Sequence, residues 1–321
     1  MRPNNKNFCG GNFNDWLEVM LTDKCNGRCS WCVEKNGYKP IQKVDYRTIA
    51  EAAILSKKKN IILLGGEPTL YPQLKQLVLI LQASERNVYI TTNGSKLSPN
   101  YVKENLLEIS GINISIHSYD LERNYSITGI ILNEENLKST INIFKETGAT
   151  VRLNCNIIKG YVDSKSEIFT YIEFAKNIGA NSIRFAELKN DENSFVDLFK
   201  IFGYKYGINN EPFGLGCNSD VKINEMSVNF RQMCGLQTTK RKRPVDPEQV
   251  QKYVLYYDGK IYNGWQTKVE EEIVEDKELI KLLEDVKDGK IDVAEASLTI
   301  GKELGKTKTI IKHTSSGGCQ Y

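Results

Sequence analysis

Six short apolar runs punctuate the first 190 positions, at 17–21, 61–64, 88–91, 112–116, 151–157 and 182–188. Helical patterns lie between them at 46–58, 72–84, 134–147 and 165–178. Strand and helix in alternation predict parallel strands joined by right-handed crossovers. The expected fold class is α/β: a partial (β/α)6 barrel with a small C-terminal α+β appendage. In such barrels the chemistry sits at the C-terminal ends of the strands. Cys25, Gly65, Gly66 and Thr92 all fall just after predicted strands.

Alternation within the strands predicts which residues face the barrel interior. Along 112–117 the Ile residues share one face, and Asn113, Ser115 and His117 share the other. Along 151–157 the apolar face is Val151, Leu153, Cys155 and Ile157, against Arg152, Asn154 and Asn156. A polar face on a central strand of a covered sheet is costly unless it meets a ligand or another polar group. Asn113, Ser115, His117, Arg152 and Asn154 are therefore placed in the lumen, with Cys155 in the core.

After Leu188 the periodicity breaks. Residues 253–262 read as a hairpin about an Asp258-Gly259 turn. Residues 270–288 form a charged amphipathic helix, 291–307 add helical pattern, and the tail from His313 to Cys319 looks flexible. The basic run Lys240-Arg241-Lys242-Arg243 reads as a solvated loop, or as a groove for an acidic peptide or phosphate.

Composition narrows the class. The 321 residues are 40% hydrophobic and 26% charged, as in a globular chain. A formal net charge of +3 is too small to argue for nucleic acid or membrane. No uncharged apolar stretch reaches the roughly 18 residues a membrane span needs, and the N-terminus lacks a signal core. A cytoplasmic location is expected, with the eight cysteines as thiols or metal ligands.

Only Cys25-Asn26-Gly27-Arg28-Cys29-Ser30-Trp31-Cys32 clusters thiols tightly. Three thiolates on a four-iron cluster leave one iron open, which suits catalysis. A zinc loop completed by Cys9, or ordinary buried cysteines, are the other readings of the triplet.

Taken with Gly65-Gly66-Glu67-Pro68 after the second strand and Thr91-Thr92-Asn93-Gly94 after the third, the triplet resembles that of the radical S-adenosylmethionine (SAM) superfamily. The stretch 151–188 is similar to its molybdenum-cofactor GTP cyclase branch and SPASM/twitch relatives. The resemblance implies four regions: an N-terminal extension (1–13), the radical SAM partial barrel (14–190), a twitch-like extension with the hairpin (191–268), and C-terminal helices with a flexible tail (269–321). It implies that Cys25, Cys29 and Cys32 hold one 4Fe–4S cluster whose open iron binds SAM. Reductive cleavage would then give a 5′-deoxyadenosyl radical that abstracts hydrogen from substrate. Gly65, Gly66, Glu67, Pro68, Thr92, Trp31, Ser115, Asn154 and Leu188 would shape the SAM site, Gly65 and Gly66 by letting backbone approach SAM where a Cβ would block it. His117 is the expected catalytic side chain at the strand end. A reductant such as flavodoxin or ferredoxin is the implied partner.

Cluster-bearing relatives end the hairpin in a cysteine, and here Asn263-Gly264-Trp265 stands there instead. An auxiliary cluster on Cys217, Cys234 and Cys319 is conceivable but not favoured. Glu18 stands where the cyclases read phosphate with arginine, and Tyr71 where they place another, which disfavours GTP. Glu18, Tyr71, Asn113 and Arg152 are the candidate substrate contacts, with a salt bridge to Arg152 or Arg184 as the bland alternative for Glu18. A peptide substrate is the first reading and a nucleotide or other small metabolite the alternative. A cluster-binding sensor without turnover stands behind both. With only 24 residues before Cys25, a fused leader-binding domain is not expected.

Overall fold

The computed structural model describes residues 15–188, 191, 193–202, 218–231, 252–265 and 290. Cys9, Cys217, Cys234, Cys319, the basic run 240–243, the helical patterns at 270–288 and 291–307 and the tail lie outside the described residues. Within them the chain runs β1 (Trp16–Met20), α1 (Tyr46–Leu55), β2 (Asn60–Leu64), α2 (Leu74–Ala83), β3 (Asn87–Thr92), α3 (Pro99–Asn105) and β4 (Gly111–Ser115). It continues with α4 (Leu121–Thr128), α5 (Glu134–Glu146), β5 (Thr150–Ile157), α6 (Lys165–Asn177), β6 (Ser182–Glu187) and α7 (Leu198–Ile201). Two hairpins follow, β7 (Asn218–Ile223) with β8 (Met226–Arg231), and β9 (Tyr253–Leu255) with β10 (Ile261–Asn263).

All ten strands form one sheet in the order β10-β9-β1-β2-β3-β4-β5-β6-β8-β7. Strands β1 to β6 are parallel, as alternation predicts. The C-terminal hairpins extend that same sheet at both ends. Strand β9 pairs parallel to β1 and β8 pairs parallel to β6, leaving antiparallel β10 and β7 at the edges. The hairpin at 218–231, which the sequence pattern does not announce, thus lengthens the polar inner wall beside β6.

The outward faces of the strands make the core. Leu17, Val19, Ile61, Leu63, Val88, Ile90, Ile112, Ile114, Val151, Leu153, Cys155, Ile183 and Phe185 are buried under the helices. Each such side chain contributes roughly 1.5–3 kcal/mol by leaving water. Cys155 is therefore a core residue. Three of the helices begin at a side-chain cap that the sequence supplies: Asp45 accepts from Arg47 N and Thr48 N, Asn133 from Asn136 N, and Ser164 from Glu167 N. Helices α3 and α4 carry almost no apolar periodicity. Val102 alone is buried in α3, and the buried residues of α4 are Asn124 and Thr128. Caps at Ser98 and Asp120 and the left-handed Gly129 define them instead.

The β9–β10 hairpin also braces the loop after the cysteine triplet. Tyr38 and Tyr262 both donate to Asp258 Oδ2, at 3.2 and 2.9 Å, and Val44 N donates to Tyr257 O at 2.9 Å. Among the described residues no helix is long and apolar enough to cross a membrane.

Candidate functional site

One cavity of about 710 Å³ runs from the thiol loop down the inside of the barrel. Its wall includes Cys25, Cys29, Trp31, Cys32, Gly65, Gly66, Glu67, Thr92, Asn113, Ser115, His117, Arg152 and Asn154. Asn113, Ser115, His117, Arg152 and Asn154, which strand alternation puts on one face, all line this cavity. Pro68, Tyr71 and Leu188 are not on that wall. Pro68 is buried at the start of a short 3-10 turn, Tyr71 packs against the main core, and Leu188 is buried with Trp31 and Ile158. A substrate contact by Tyr71 has no support in this geometry.

The loop from Cys25 to Cys32 leaves the end of β1 and is held from outside by Arg28 N donating to Thr128 O at 2.7 Å. Cys25 is exposed, while Cys29 and Cys32 are half-buried. Burial pushes all three thiols up, Cys29 to about 11, and the neighbouring Cys32 and Cys25 charges add to the shift at Cys29. A thiolate set of this kind calls for a bound cation, which reverses that penalty. Among the described residues no three of His, Cys, Asp and Glu gather around a single-ion site. Ligands of a multi-iron cluster each meet a different iron, so they spread wider than that. The donor chemistry fits such a group.

The Gly-Gly-Glu-Pro turn lies directly beneath this loop. Gly66 N donates to Thr22 O at 2.6 Å and Glu67 N to Lys24 O at 2.8 Å. Gly65 has φ +139°, and a Cβ at Gly66 would lie 2.2 Å from Lys24 O. The glycines are thus required first by backbone-to-backbone contact between the two loops. Glu67 is a brace. It accepts from Thr69 N, Thr69 Oγ1, Thr92 Oγ1 and Asn93 N at 3.0, 2.5, 2.6 and 2.7 Å. Its acceptor sites are filled from within, and Thr92 serves the brace.

His117 is 6% exposed and stands edge-on to Trp31, ring centroids 5.3 Å apart. Its Nδ1 accepts from Asn156 N at 3.0 Å, so the proton resides on Nε2. Burial lowers its pKa to about 4, so the ring is neutral near pH 7. Asn124 Oδ1 accepts from His117 N at 2.8 Å, and Tyr171 OH donates to Ile116 O at 2.7 Å. The ring is locked with one N–H to offer.

Glu18 pairs with neither Arg152 nor Arg184. Lys252 Nζ, from the start of the second hairpin, lies 2.7 Å from both its oxygens, and Trp265 Nε1 also donates to it. Glu18 is thereby neutralised on the β1 side, and the electrostatic objection to phosphate falls. The positive charge stands on the opposite wall. Arg152, Arg184 and Arg231 rise along β5, β6 and β8, each two register steps above the last. Burial, then the charges of Arg184 and Arg231, bring Arg152 down to about 9, and burial also lowers Arg184. Arg152 Nε donates to Asn154 Oδ1 at 3.1 Å and Arg184 Nε to Asn229 Oδ1 at 2.9 Å.

Arg184, Arg231, Lys252 and Trp265 line the cavity but are not among the candidate site residues read from the sequence, and neither is Glu34, whose burial pushes its pKa to about 7. The signal for the arginines was present. Ser182, Arg184 and Ala186 alternate with Ile183 and Phe185, and Ser227, Asn229 and Arg231 with Val228 and Phe230. No such signal joined Lys252 to Glu18 across 234 positions.

Residues 19–175 match the family model of the Radical SAM superfamily. The "Probable GTP 3',8-cyclase" of Saccharolobus islandicus (strain L.S.2.15 / Lassen #1) is 32% identical over 179 residues, which cover 54% of this chain and 56% of that protein. The "GTP 3',8-cyclase" of Aquifex aeolicus (strain VF5) is 31% identical over 180 residues, 53% of this chain and 55% of that protein. The chain thus spans little more than half the length of these relatives. The structure of Streptococcus suis SuiB bound to S-adenosylmethionine is similar in fold, with a TM-score of 0.56 and 17% identity over 78% of this chain and 60% of that one. The family match begins inside β1, takes in the thiol loop and the turn beneath it, and ends in α6: residues 19–175, just under half of the chain, are similar to the radical SAM superfamily.

Proposed function

We propose that this chain is an enzyme that cleaves SAM reductively at a 4Fe–4S cluster and abstracts hydrogen from a substrate bearing an anionic group. Cys25, Cys29 and Cys32 would hold the cluster. When bound, the cluster supplies one electron to SAM, whose cleavage yields methionine and a 5′-deoxyadenosyl radical. The chain's own residues position and shield. The Glu67–Thr92 brace fixes the turn under the thiol loop, and Trp31, packed on Leu188 and Ile158 behind it, gives the cavity an apolar surface that helps keep water out. Ser115, the Asn154 amide nitrogen and the His117 Nε2–H supply polar atoms along that cavity, in reach of SAM or substrate.

The observation that carries the substrate class is the arginine wall. Arg152 and Arg184 are half-buried on the lumen, each held at Nε by a neutral asparagine, with no carboxylate oxygen within 4 Å among the described residues. Buried guanidinium groups are ordinarily matched by carboxylate or phosphate. A small anionic metabolite, nucleotides included, is therefore the first reading. A peptide enters as the second, through an acidic side chain that reaches the same wall.

The test is anaerobic reduction of the iron-loaded chain with SAM. Formation of 5′-deoxyadenosine, with broad absorbance near about 400 nm from thiolate–iron charge transfer, supports the reading. A colourless zinc protein would refute it, and a coloured protein that leaves SAM intact would be a sensor.

A further inference from the structure

The β7–β8 hairpin lies outside the 19–175 family match, yet it forms the barrel wall beside β6. Its inner face places Asn229 opposite Arg184 in register. Asn229 Oδ1 accepts from Arg184 Nε at 2.9 Å, and Asn229 Nδ2 donates to Asp220 Oδ1 at 2.8 Å. A carboxylate only accepts, so Asp220 fixes which end of the amide faces the arginine. We propose that Asn229 and Asp220 are positioning residues that aim Arg184 into the lumen with its charge uncancelled, and that this hairpin is the element selecting an anionic substrate group. This rests on the proposed function and adds the device that makes the wall receptive.

The choice of residue carries the argument. The simplest partner for a buried arginine is a carboxylate, and Asp220 is on the same hairpin. Had it faced Arg184 directly, the pair would be closed and Arg184 would offer no free charge to a ligand. With the amide between them, Asp220 lowers the cost of burying Arg184 from a distance, and its charge favours the ionised Arg152 and Arg184. Arginine has five N–H donors; Nε–H is spent on the amide and the four terminal ones remain. Arg152 repeats the pattern with Asn154, so two guanidinium groups are held by neutral acceptors two register steps apart. Arg231, from the hairpin itself, is 8% exposed and adds its positive charge beside Arg152. A fork with free terminal donors matches two anionic oxygens at once, which gives geometry as well as attraction.

The experiment is calorimetric titration of the reconstituted chain with inorganic pyrophosphate, with thermal midpoints measured on the same samples. Wild type is expected to bind, and Arg184→Gln to lose that binding. Asn229→Asp places a carboxylate on Arg184 and should weaken pyrophosphate at least about tenfold, roughly 1.4 kcal/mol, with the thermal midpoint unchanged or raised. A purely structural amide predicts the reverse pattern, a shifted midpoint with affinity intact. Should Asn229→Asp fail to fold, Asn229→Leu decides: weaker pyrophosphate supports the proposal and unchanged affinity overturns it. Wild type that ignores millimolar pyrophosphate, or binding that survives Arg184→Gln or Asn229→Asp, also overturns it. Formation of 5′-deoxyadenosine is scored separately, so loss of this subsite and loss of the radical SAM reading are distinguishable.

Discussion

The Lys252 ammonium lies 2.7 Å from each carboxylate oxygen of Glu18 and ties the second hairpin to β1. Both side chains are largely buried, at 4% and 15% exposure. Removing one partner strands the other charge, so Lys252→Met should cost about 3–5 kcal/mol. Replacing both partners removes the stranded charge. Glu18→Gln with Lys252→Met should recover stability to within about 1 kcal/mol of wild type. Urea midpoints of the three proteins check this. A double variant no more stable than Lys252→Met would show that the pair acts by packing.

The thiol triplet should account for the iron. Reconstituted chain is expected to bind about four irons, falling to near zero in the Cys25→Ala/Cys29→Ala/Cys32→Ala protein. Iron counting with the absorbance spectrum is the measurement. About three or four irons kept by the triple variant, and lost again when Cys217 or Cys234 is changed, would mean a second cluster.

Gly66 and Gly160 offer a matched comparison. A Cβ on Gly66 would lie 2.2 Å from Lys24 O, and this contact joins the turn to the thiol loop. Gly66→Ala should displace that loop and sharply reduce iron retention. Gly160 has φ +83°, and a Cβ added there would meet no atom within 4 Å. Gly160→Ala should cost only about 1 kcal/mol of backbone strain, with iron content unchanged. Equal iron content in the two proteins would contradict the loop-to-turn account.

Much of this site was legible because it is local. Alternation along 112–117 and 151–157 put Asn113, Ser115, His117, Arg152 and Asn154 on one wall, and the Cys25–Cys32 spacing named the loop. Glu67 reads from the sequence as one of the residues that shape the SAM site, and in the fold it accepts four hydrogen bonds that brace the turn. What stayed hidden depends on distant pairing. Glu18 reads from the sequence as a substrate contact or as an ion pair with Arg152 or Arg184, and its partner Lys252 lies 234 positions away at the start of the hairpin. Arg231 and Asn229 lie on strands of a hairpin whose polar face has meaning only once β8 is known to pair with β6. Helix α4 buries Asn124 and Thr128 in place of apolar residues, because it serves the His117 backbone and the thiol loop.

His117 should make stability depend on pH in a defined window. The unfolded side chain titrates near about 6.5, whereas the folded one is lowered to about 4 by burial. Between these values the unfolded chain takes up a proton that the folded chain refuses. The folded state therefore loses stability as pH falls from about 6.5 towards 4 and is unaffected by this group above that window. The full effect is about 3 kcal/mol. His117→Gln removes the titration while keeping a polar side chain that can meet Asn156 N. At pH 7 the variant is expected to be less stable, having lost the ring contact with Trp31. As pH is lowered to about 4.5 the gap should close, because only the wild type is penalised. Other carboxylates titrate in the same window, but equally in both proteins, so they cancel in the difference. Urea unfolding at pH 7, 6, 5 and 4.5 measures it. Parallel curves across the series would mean that His117 titrates alike in the folded and unfolded chain, and the lowering of its pKa by burial would be wrong.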